Sequence, residues 1–146
     1  MAYKLHIVAQ ISFMQEGIGL KIFLFDEDMF SLAIYEQYLK NIGCTKVRSF
    51  SSIVECVSRF DDRPQVIILD YRTRPGRGLK ILTAIKKIIP SAYIVFITGP
   101  SGIIESLFSL NNGAFEYIIK DENCQLHLES VLRRVEKLEQ MSYKKP

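Results

Sequence analysis

Five short apolar segments recur along the chain, and between them apolar residues return every three or four positions. The apolar segments are 21–25, 46–50, 65–69, 93–97 and 116–119. Four of them are almost continuously apolar, which is typical of strands in a parallel sheet that is covered on both faces. The segment 46–50 is more polar, which favours a position at the edge of the sheet.

The segments between these strands have the spacing of amphipathic helices. The positions expected to face inward are Leu32, Tyr35, Leu39 and Ile42 in the first helix, Val54, Val57 and Phe60 in the second, Leu82, Ile85 and Ile89 in the third, Ile103, Leu107 and Leu110 in the fourth, and Leu128, Val131, Leu132, Val135 and Leu138 in the fifth. Ser52 and Glu55 form a capping-box pattern before the second helix, and Gly43 is a stop signal after the first.

Five alternating β/α units predict an α/β fold, a doubly wound, flavodoxin-like (βα)5 three-layer sandwich. Its parallel sheet is expected to have the order 2-1-3-4-5 and right-handed crossovers.

Residues 1–20 fall outside this pattern and predict an N-terminal extension. Apolar residues alternate with mostly polar ones from Tyr3 to Phe13, which is a strand pattern, and the segment 16–19 resembles a turn. A hairpin onto the first strand of the sheet is blocked, because that strand already has a neighbour on each side in this order. The extension is therefore expected to pair at a sheet edge, to act as an association arm toward another chain, or to remain a disordered leader. The domain itself is expected to span 21–140, followed by a C-terminal tail at 141–146.

Composition is that of one soluble globular domain. The chain has 146 residues, of which 48% are hydrophobic and 24% charged, and its net charge is +3. So small a charge does not by itself indicate nucleic-acid binding. Three widely spaced cysteines (Cys44, Cys56 and Cys124) give no disulfide framework and no CxxC metal pattern, which favours a cytoplasmic protein. The sequence contains neither an apolar run long enough for a transmembrane helix nor a signal-peptide pattern.

Polar residues of complementary charge follow four of the predicted strands. They are Asp26, Glu27 and Asp28 after the first strand, Asp70 after the third, Thr98 at the end of the fourth and Lys120 at the end of the fifth. Because ligands of open α/β sheets bind at the carboxyl ends of the strands, these side chains are expected to converge. Carboxylates about 4 Å apart repel each other by about 4 kcal/mol at an effective dielectric constant near 20, so that a proton or a cation must join them. Carboxylates that suit Mg²⁺, together with a hydroxyl and a lysine, are the groups needed to bind and transfer a phosphoryl group.

Four motifs in a fixed order give the chain its resemblance to response regulator receiver domains, the CheY-like family. They are FLF-Asp26-Glu27-Asp28, VIIL-Asp70, FI-Thr98-Gly99 and GAFEYII-Lys120. The resemblance covers about residues 21–140. It implies two-component signalling, in which Asp70 accepts a phosphoryl group from a sensor histidine kinase or a phosphotransfer protein.

The resemblance also implies a role for each of the other site residues. The carboxylates of Asp26, Glu27 and Asp70 and the backbone carbonyl of Arg72 would hold Mg²⁺. Thr98 and Lys120 would contact the phosphoryl group, which brings about −1.5 to −2 charges and three acceptor oxygens. Tyr117 would be the aromatic residue that turns inward as Thr98 moves, and a partner protein would recognise the repacked surface. Asp28 is better placed to cap the first helix than to bind metal.

Two features depart from the family's usual pattern. The loop after Asp70 is unusually basic, with Arg72, Arg74 and Arg77. Arg72, two positions after Asp70, is expected to pair either with the phosphoryl group or, in its absence, with Asp26 or Glu27, which would weaken Mg²⁺ binding. Asp121 stands directly after Lys120, where the family usually has proline.

Other functions are consistent with parts of the pattern. A degenerate receiver would act as an interaction module without phosphorylation. A haloacid-dehalogenase-like phosphatase also begins with a strand ending in Asp-x-Asp, with Asp26 as its nucleophile, but it would leave Asp70 without a role. An FMN-binding flavodoxin is disfavoured because acids after the first strand repel a cofactor phosphate.

As a receiver, the chain is expected to act on a downstream protein target or on an output domain outside this sequence. A homodimer is a further alternative, and neither a membrane nor direct nucleic-acid contact is expected.

Overall fold

A five-stranded parallel sheet forms the centre of the protein. The structure is a computed structural model that describes residues 1–15, 17–70, 77–99 and 112–143. The fourth predicted helix, with Ile103, Leu107 and Leu110, lies outside the described residues, as do Arg72 and Arg74.

The strands alternate with helices along the chain. The strands are β1 (Ile18–Phe25), β2 (Cys44–Phe50), β3 (Val66–Asp70), β4 (Tyr93–Thr98) and β5 (Glu116–Ile119). The helices are α1 (Ala2–Gln15), α2 (Met29–Asn41), α3 (Ile53–Ser58), α4 (Arg77–Ile88) and α5 (Cys124–Tyr143), with a 3₁₀ turn at Phe60–Asp62. The sheet order is β2-β1-β3-β4-β5, and all four neighbouring pairs are parallel. The predicted fold class and sheet order are confirmed, including the edge position of the polar strand β2.

Two apolar layers cover the two faces of the sheet. On one face, α2 and α5 pack through residues that include Leu39, Leu128 and Leu132. On the other face, α3 and α4 pack through residues that include Cys56, Leu82 and Ile85. All five residues of β3 are buried, because the strand lies in the middle of the sheet between both helical layers.

The helix boundaries follow from capping chemistry. The Asp28 side chain accepts hydrogen bonds from the backbone N–H and the hydroxyl of Ser31, which confirms Asp28 as the N-cap of α2. Gly43 has a φ of +93°, a left-handed conformation that glycine adopts without a steric penalty, and it ends the turn after α2. Ser52 accepts a hydrogen bond of 3.4 Å from the backbone N–H of Glu55 at the start of α3.

The strand predicted within residues 1–20 is wrong, because residues 2–15 form helix α1. The alternation from Tyr3 to Phe13 is not selective for a strand, since Val8 interrupts it and no glycine or proline opposes a helix. The predicted turn at 16–19 is also wrong in part, because β1 begins at Ile18. The described side chains of α1 are exposed, among them Tyr3 and Leu5. Neither α1 nor any other helix in the described part of the chain is long and apolar enough to cross a membrane.

Three predicted core positions are also wrong. Val54 and Val57 are exposed because α3 is short and turns Cys56 toward the sheet instead. Leu138 is exposed near the end of α5, where the helix extends past the sheet. The other inward positions expected in the described helices are buried.

Candidate functional site

The carboxyl ends of four strands place the predicted site residues along one edge of the sheet. Asp26 follows β1, Asp70 and Thr98 end β3 and β4, and Lys120 follows β5. The strand register pairs Phe25 with Leu69, Asp70 with Ile97, and Thr98 with Ile119. The expected convergence of these residues therefore follows directly from the parallel pairing.

Asp70 and Lys120 form the central ion pair of the site. Asp70 is only 3% exposed, and its Oδ2 atom contacts the Lys120 ammonium group. The Lys120 side chain retains 25% exposure, which leaves its ammonium group partly hydrated. The Oδ1 atom of Asp70 is buried and has no hydrogen-bond donor among the described residues. An orphaned buried carboxylate oxygen costs free energy, so this atom is ready to meet a cation or an electrophile.

Asp26 is the second buried carboxyl group of the site, with 1% exposure. Its Oδ1 atom accepts a hydrogen bond of 2.9 Å from the backbone N–H of Asp28, whereas its Oδ2 atom has no donor among the described residues. The pKa of Asp26 is raised from 3.8 to about 7, chiefly by burial and in addition by hydrogen bonding to Asp70 and the negative charge of Asp70. Near neutral pH the Asp26 carboxyl group is therefore partly protonated.

Glu27 differs in its surroundings from the two buried acids. Its side chain is 59% exposed, and one carboxylate oxygen lies 4.0 Å from the Arg77 guanidinium at the start of α4. The pairing predicted for Arg72 lies outside the described residues, and Arg77 is the arginine that the described part of the chain places near Glu27. An exposed ion pair at this distance is weak, so it leaves Glu27 available for other partners.

Thr98 and Tyr117 occupy the side of the site formed by β4 and β5. Thr98 is buried, and its backbone carbonyl accepts a hydrogen bond of 2.7 Å from the Lys120 N–H. Tyr117 is half-buried and stacks on Phe96, with ring centroids 5.5 Å apart. The ring therefore already packs partly against the core in this state of the protein.

One residue of the site, Tyr35 on α2, was predicted from the sequence only as part of the core. The Lys120 ammonium nitrogen lies 5.8 Å from the centroid of the Tyr35 ring. Burial raises the pKa of the Tyr35 phenol, and the charge of Asp70 and hydrogen bonding to Asp70 contribute to the rise. Helical spacing identified Tyr35 as buried, but only the structure shows that its ring lies beside the Lys120 ammonium group.

Asp121, the departure from the family's usual proline, caps the turn before α5. Its carboxylate accepts a hydrogen bond of 2.8 Å from the Asn123 backbone N–H, and its carbonyl accepts one of 3.1 Å from the Cys124 N–H. A negative charge near a helix N-terminus is also favourable. Asp121 thus stabilises the turn that connects Lys120 to α5 through these two hydrogen bonds.

The buried carboxyl groups are suited to a divalent cation. The Asp26 Oδ2 and Asp70 Oδ1 atoms are hard oxygen donors without a partner among the described residues. Within the same residues, no group of three or more His, Cys, Asp or Glu is already arranged around a common metal position. Two carboxylates and open positions match the coordination of Mg²⁺, which retains several waters in proteins.

Comparison with known proteins identifies the family of the chain. The family model of the response regulator receiver domain matches residues 22–132. The regulatory protein LuxO of Vibrio cholerae is 28% identical over 118 residues, which are 77% of this chain and 26% of LuxO. The chain thus spans about a quarter of the length of the curated relatives it matches.

Solved structures show the same fold. A receiver domain protein from Clostridium thermocellum superposes with a TM-score of 0.74 at 25% identity, covering 84% of this chain and 98% of that one. NtrX from Brucella abortus superposes with a TM-score of 0.71 at 22% identity, covering 88% of this chain and 30% of that one.

Proposed function

Because the chain belongs to the response regulator receiver domain family, we propose that Asp70 accepts a phosphoryl group from a histidine kinase or a phosphotransfer protein. Receiver domains are signalling domains of two-component systems rather than true enzymes. The observation that carries the proposal is the burial of the Asp70 carboxylate beside Asp26, with Lys120 paired to one of its oxygens. This arrangement leaves the Oδ1 atom of Asp70 as the free nucleophile.

The proposed step is a transfer of phosphorus between two nucleophiles. A lone pair of Asp70 Oδ1 forms the new P–O bond, and the bond between phosphorus and the donor breaks. When the donor is a phosphohistidine, the electron pair of the broken P–N bond remains on the imidazole, which then takes up a proton. Lys120 lies where its positive charge would stabilise the negative charge on the phosphoryl oxygens.

Asp26 would hold Mg²⁺ through its orphaned Oδ2 atom, and the Asp70 carboxylate would complete the acidic pair around the same metal. We assign Glu27 and the Arg72 carbonyl to the same metal, as the resemblance implies. When bound, Mg²⁺ supplies charge neutralisation between the carboxylates and the incoming phosphoryl oxygens. The loss of the Asp26 proton prepares the pair for the cation.

Thr98 and Tyr117 would transmit the change to the surface. A phosphoryl group on Asp70 offers acceptor oxygens to the Thr98 hydroxyl, and movement of Thr98 would open space for Tyr117. The half-buried ring of Tyr117 on Phe96 supports this role. The partner would be a downstream protein or an output domain, and we propose a cytoplasmic location for the exchange.

Phosphorylation of the purified protein tests this function. With Mg²⁺ and acetyl phosphate, the intact mass should rise by one phosphoryl group per chain, and beryllofluoride should occupy the same site. The Asp70→Asn variant should show neither change, because an amide oxygen cannot form the acyl phosphate. Asp61→Asn, at an exposed aspartate of the 3₁₀ turn, is the matched control and should behave as wild type. Unmodified wild-type protein under these conditions would refute the proposal.

A degenerate interaction module is the second candidate, supported by the proximity of Arg77 to Glu27. An arginine that occupies the metal-binding acids would weaken Mg²⁺ binding and with it phosphorylation. An Arg77→Ala variant with tighter Mg²⁺ binding than wild type would favour this candidate.

The phosphatase alternative is disfavoured, since a phosphatase nucleophile at Asp26 would give no role to the buried Asp70–Lys120 pair. Steady turnover of a phosphate ester would be its signature.

A further inference from the structure

Helix α4 is strongly basic, although the charges of the whole chain are nearly balanced. Its 12 residues include Arg77, Lys80, Lys86 and Lys87 and no acidic residue, whereas the chain has 19 basic and 16 acidic residues. Lys86 is already bound within the fold, because its ammonium group donates hydrogen bonds of 3.3 Å and 2.7 Å to two backbone carbonyls of the turn before β4. The side chains of the other three basic residues are exposed to solvent.

Lys80 and Lys87 place positive charge on one face of α4. They are seven residues apart, which is two helical turns or about 10 Å along the helix axis. Leu82 and Ile85, which are buried against the sheet, lie on the opposite side of the helix. Among the described residues, no carboxylate lies within ion-pair distance of either lysine. Both charges are therefore available to a partner.

Two apolar residues continue the same face of α4. Ala84 lies one turn after Lys80 and is exposed, and so small a side chain allows the backbone of a second helix to approach closely. Ile88 is 55% exposed at the end of α4. We call Lys80, Ala84, Lys87 and Ile88 the basic face. Its small centre, apolar end and two ammonium groups suit contact with another helix.

An extended polyanion is a poor match for the basic face, because carboxylates lie at both of its ends. At one end, Glu27 is 4.0 Å from the Arg77 guanidinium. At the other end, Asp61 lines the same surface cavity of about 620 Å³ as Ile88. A nucleic-acid backbone or an anionic bilayer continues past both ends and would meet these acids. An acidic segment confined to about two or three helical turns avoids both.

We propose that the basic face binds an acidic amphipathic helix of a partner protein. Carboxylates two turns apart on that helix would pair with Lys80 and Lys87, and an adjacent apolar side chain would cover Ile88. Exposed ion pairs contribute little one at a time, so the two pairs and the apolar contact act together. Complementary charge also accelerates association and excludes basic partners. This inference goes beyond the proposed function, because the basic face contains no residue of the phosphoryl-acceptor site.

A synthetic peptide tests the basic face directly. The probe is an alanine-based helix of about four turns that carries two glutamates seven positions apart and a leucine beside them. Wild-type protein should bind it in a calorimetric titration. The variant Lys80→Gln/Lys87→Gln should bind about 5- to 30-fold more weakly, as expected for the loss of two exposed ion pairs. The matched control Lys40→Gln/Lys137→Gln loses the same charge from exposed positions of α2 and α5, and it should retain the wild-type affinity within about twofold.

The apolar contact and the peptide charge are tested separately. Ile88→Ser removes exposed apolar area without a change of charge, so it should weaken peptide binding about 3- to 10-fold. A peptide with glutamine in place of both glutamates should bind the wild type more weakly. It should also no longer distinguish the wild type from Lys80→Gln/Lys87→Gln, because the ion pairs are absent in both cases.

Three results would overturn the proposal. They are no binding of the acidic peptide to the wild type, an equal loss of affinity in both double-lysine variants, and tighter binding of a DNA duplex or of phosphatidylserine vesicles than of the peptide at the same ionic strength. The last result would assign the basic face to an extended polyanion.

Phosphorylation by acetyl phosphate separates this proposal from the proposed function. Lys80→Gln/Lys87→Gln should accept a phosphoryl group at the wild-type rate, because neither lysine belongs to the acceptor site. A wild-type protein that binds the peptide through both lysines but is not phosphorylated would refute the proposed function and support the basic face as a docking surface.

Discussion

Two carboxyl groups share one buried site, and the negative charge of Asp70 helps to raise the pKa of Asp26. Asp26 is nearly inaccessible to water, its pKa is raised to about 7, and Asp70 is its neighbour. In the unfolded chain the same side chain titrates near 3.8. Between these two pH values the folded protein holds a proton that the unfolded protein has released. Folding stability due to Asp26 is therefore fully present below about pH 4 and is lost as the pH rises through about 7.

The Asp26→Asn variant tests whether Asp26 makes the folded protein less stable as the pH rises. Asparagine retains the shape of the side chain and cannot ionise, so the variant should be more stable than wild type at pH 8, by roughly 1–3 kcal/mol. The difference should disappear near pH 4. Chemical denaturation without divalent cations measures the free energy of unfolding of both proteins across this pH range. Subtracting the wild-type value from the variant value removes the contribution of every other titrating group. A constant difference from pH 4 to pH 8 would contradict the assignment of the raised pKa to Asp26.

At the scale of the elements, the contact between the start of β1 and the turn after α2 depends on two glycines. Gly43 has a φ of +93°, and a Cβ atom there would lie 3.0 Å from the Gly17 Cα. The Ile18 N–H also donates a hydrogen bond of 2.9 Å to the Gly43 carbonyl. The turn therefore sets where β1 begins, and a side chain at Gly43 would have to displace backbone atoms.

We expect Gly43→Ala to destabilise the protein by about 1–3 kcal/mol, because the left-handed conformation and the close backbone contact both oppose a Cβ atom. Gly19→Ala is the matched control. A Cβ atom at Gly19, within β1, would have no heavy atom within 4 Å, so alanine there should change stability by less than about 0.5 kcal/mol. Urea denaturation of the two variants provides the comparison. Equal losses at both positions would show that the turn geometry does not matter.

The elements also show how far sequence patterns determine the structure. Parallel strands covered on both faces must be apolar throughout, and so β3 and β4 were identified, together with Asp70 and Thr98 at their ends. Helical spacing predicted the buried residues of α2 because that helix lies flat on the sheet along its whole length. Short α3 lacks enough turns to impose its own period, and its orientation is set by packing against β2. Val54 and Val57 were misplaced for this reason.

The sequence allowed prediction only of those site residues that lie at the ends of strands. Asp26, Asp70 and Lys120 converge because parallel register brings successive carboxyl ends together. Tyr35 reaches the same place from a helix, through the length and direction of one side chain, and a sequence pattern carries no such information. The position of Arg77 4.0 Å from Glu27 likewise depends on the backbone at the start of α4, which the sequence pattern does not describe.

At the scale of the whole molecule, one core holds the sheet and its two helical layers, and the described side chains of α1 lie outside it. The buried residues of both apolar clusters begin at Ile18 or later, and the described side chains of α1 are exposed. Four of these exposed side chains are large and apolar, namely Tyr3, Leu5, Ile7 and Val8. Exposed apolar side chains grouped on one segment favour association between molecules.

Deletion of residues 1–15 separates the core from this extension. The shortened protein should unfold within about 1 kcal/mol of the full chain, because no described side chain of α1 contributes buried area to the core. It should also accept a phosphoryl group on Asp70 at an unchanged rate, since the carboxyl edge of the sheet is complete without α1. If α1 is an association arm, the full chain should show concentration-dependent sedimentation that the deletion abolishes. A full chain with Tyr3→Ser and Leu5→Ser should also lose the concentration dependence of its sedimentation, because those substitutions remove apolar surface and leave the length of the chain intact. A large loss of stability in the shortened protein would instead mean that α1 packs on the domain in solution, and the extension would then belong to the folded unit.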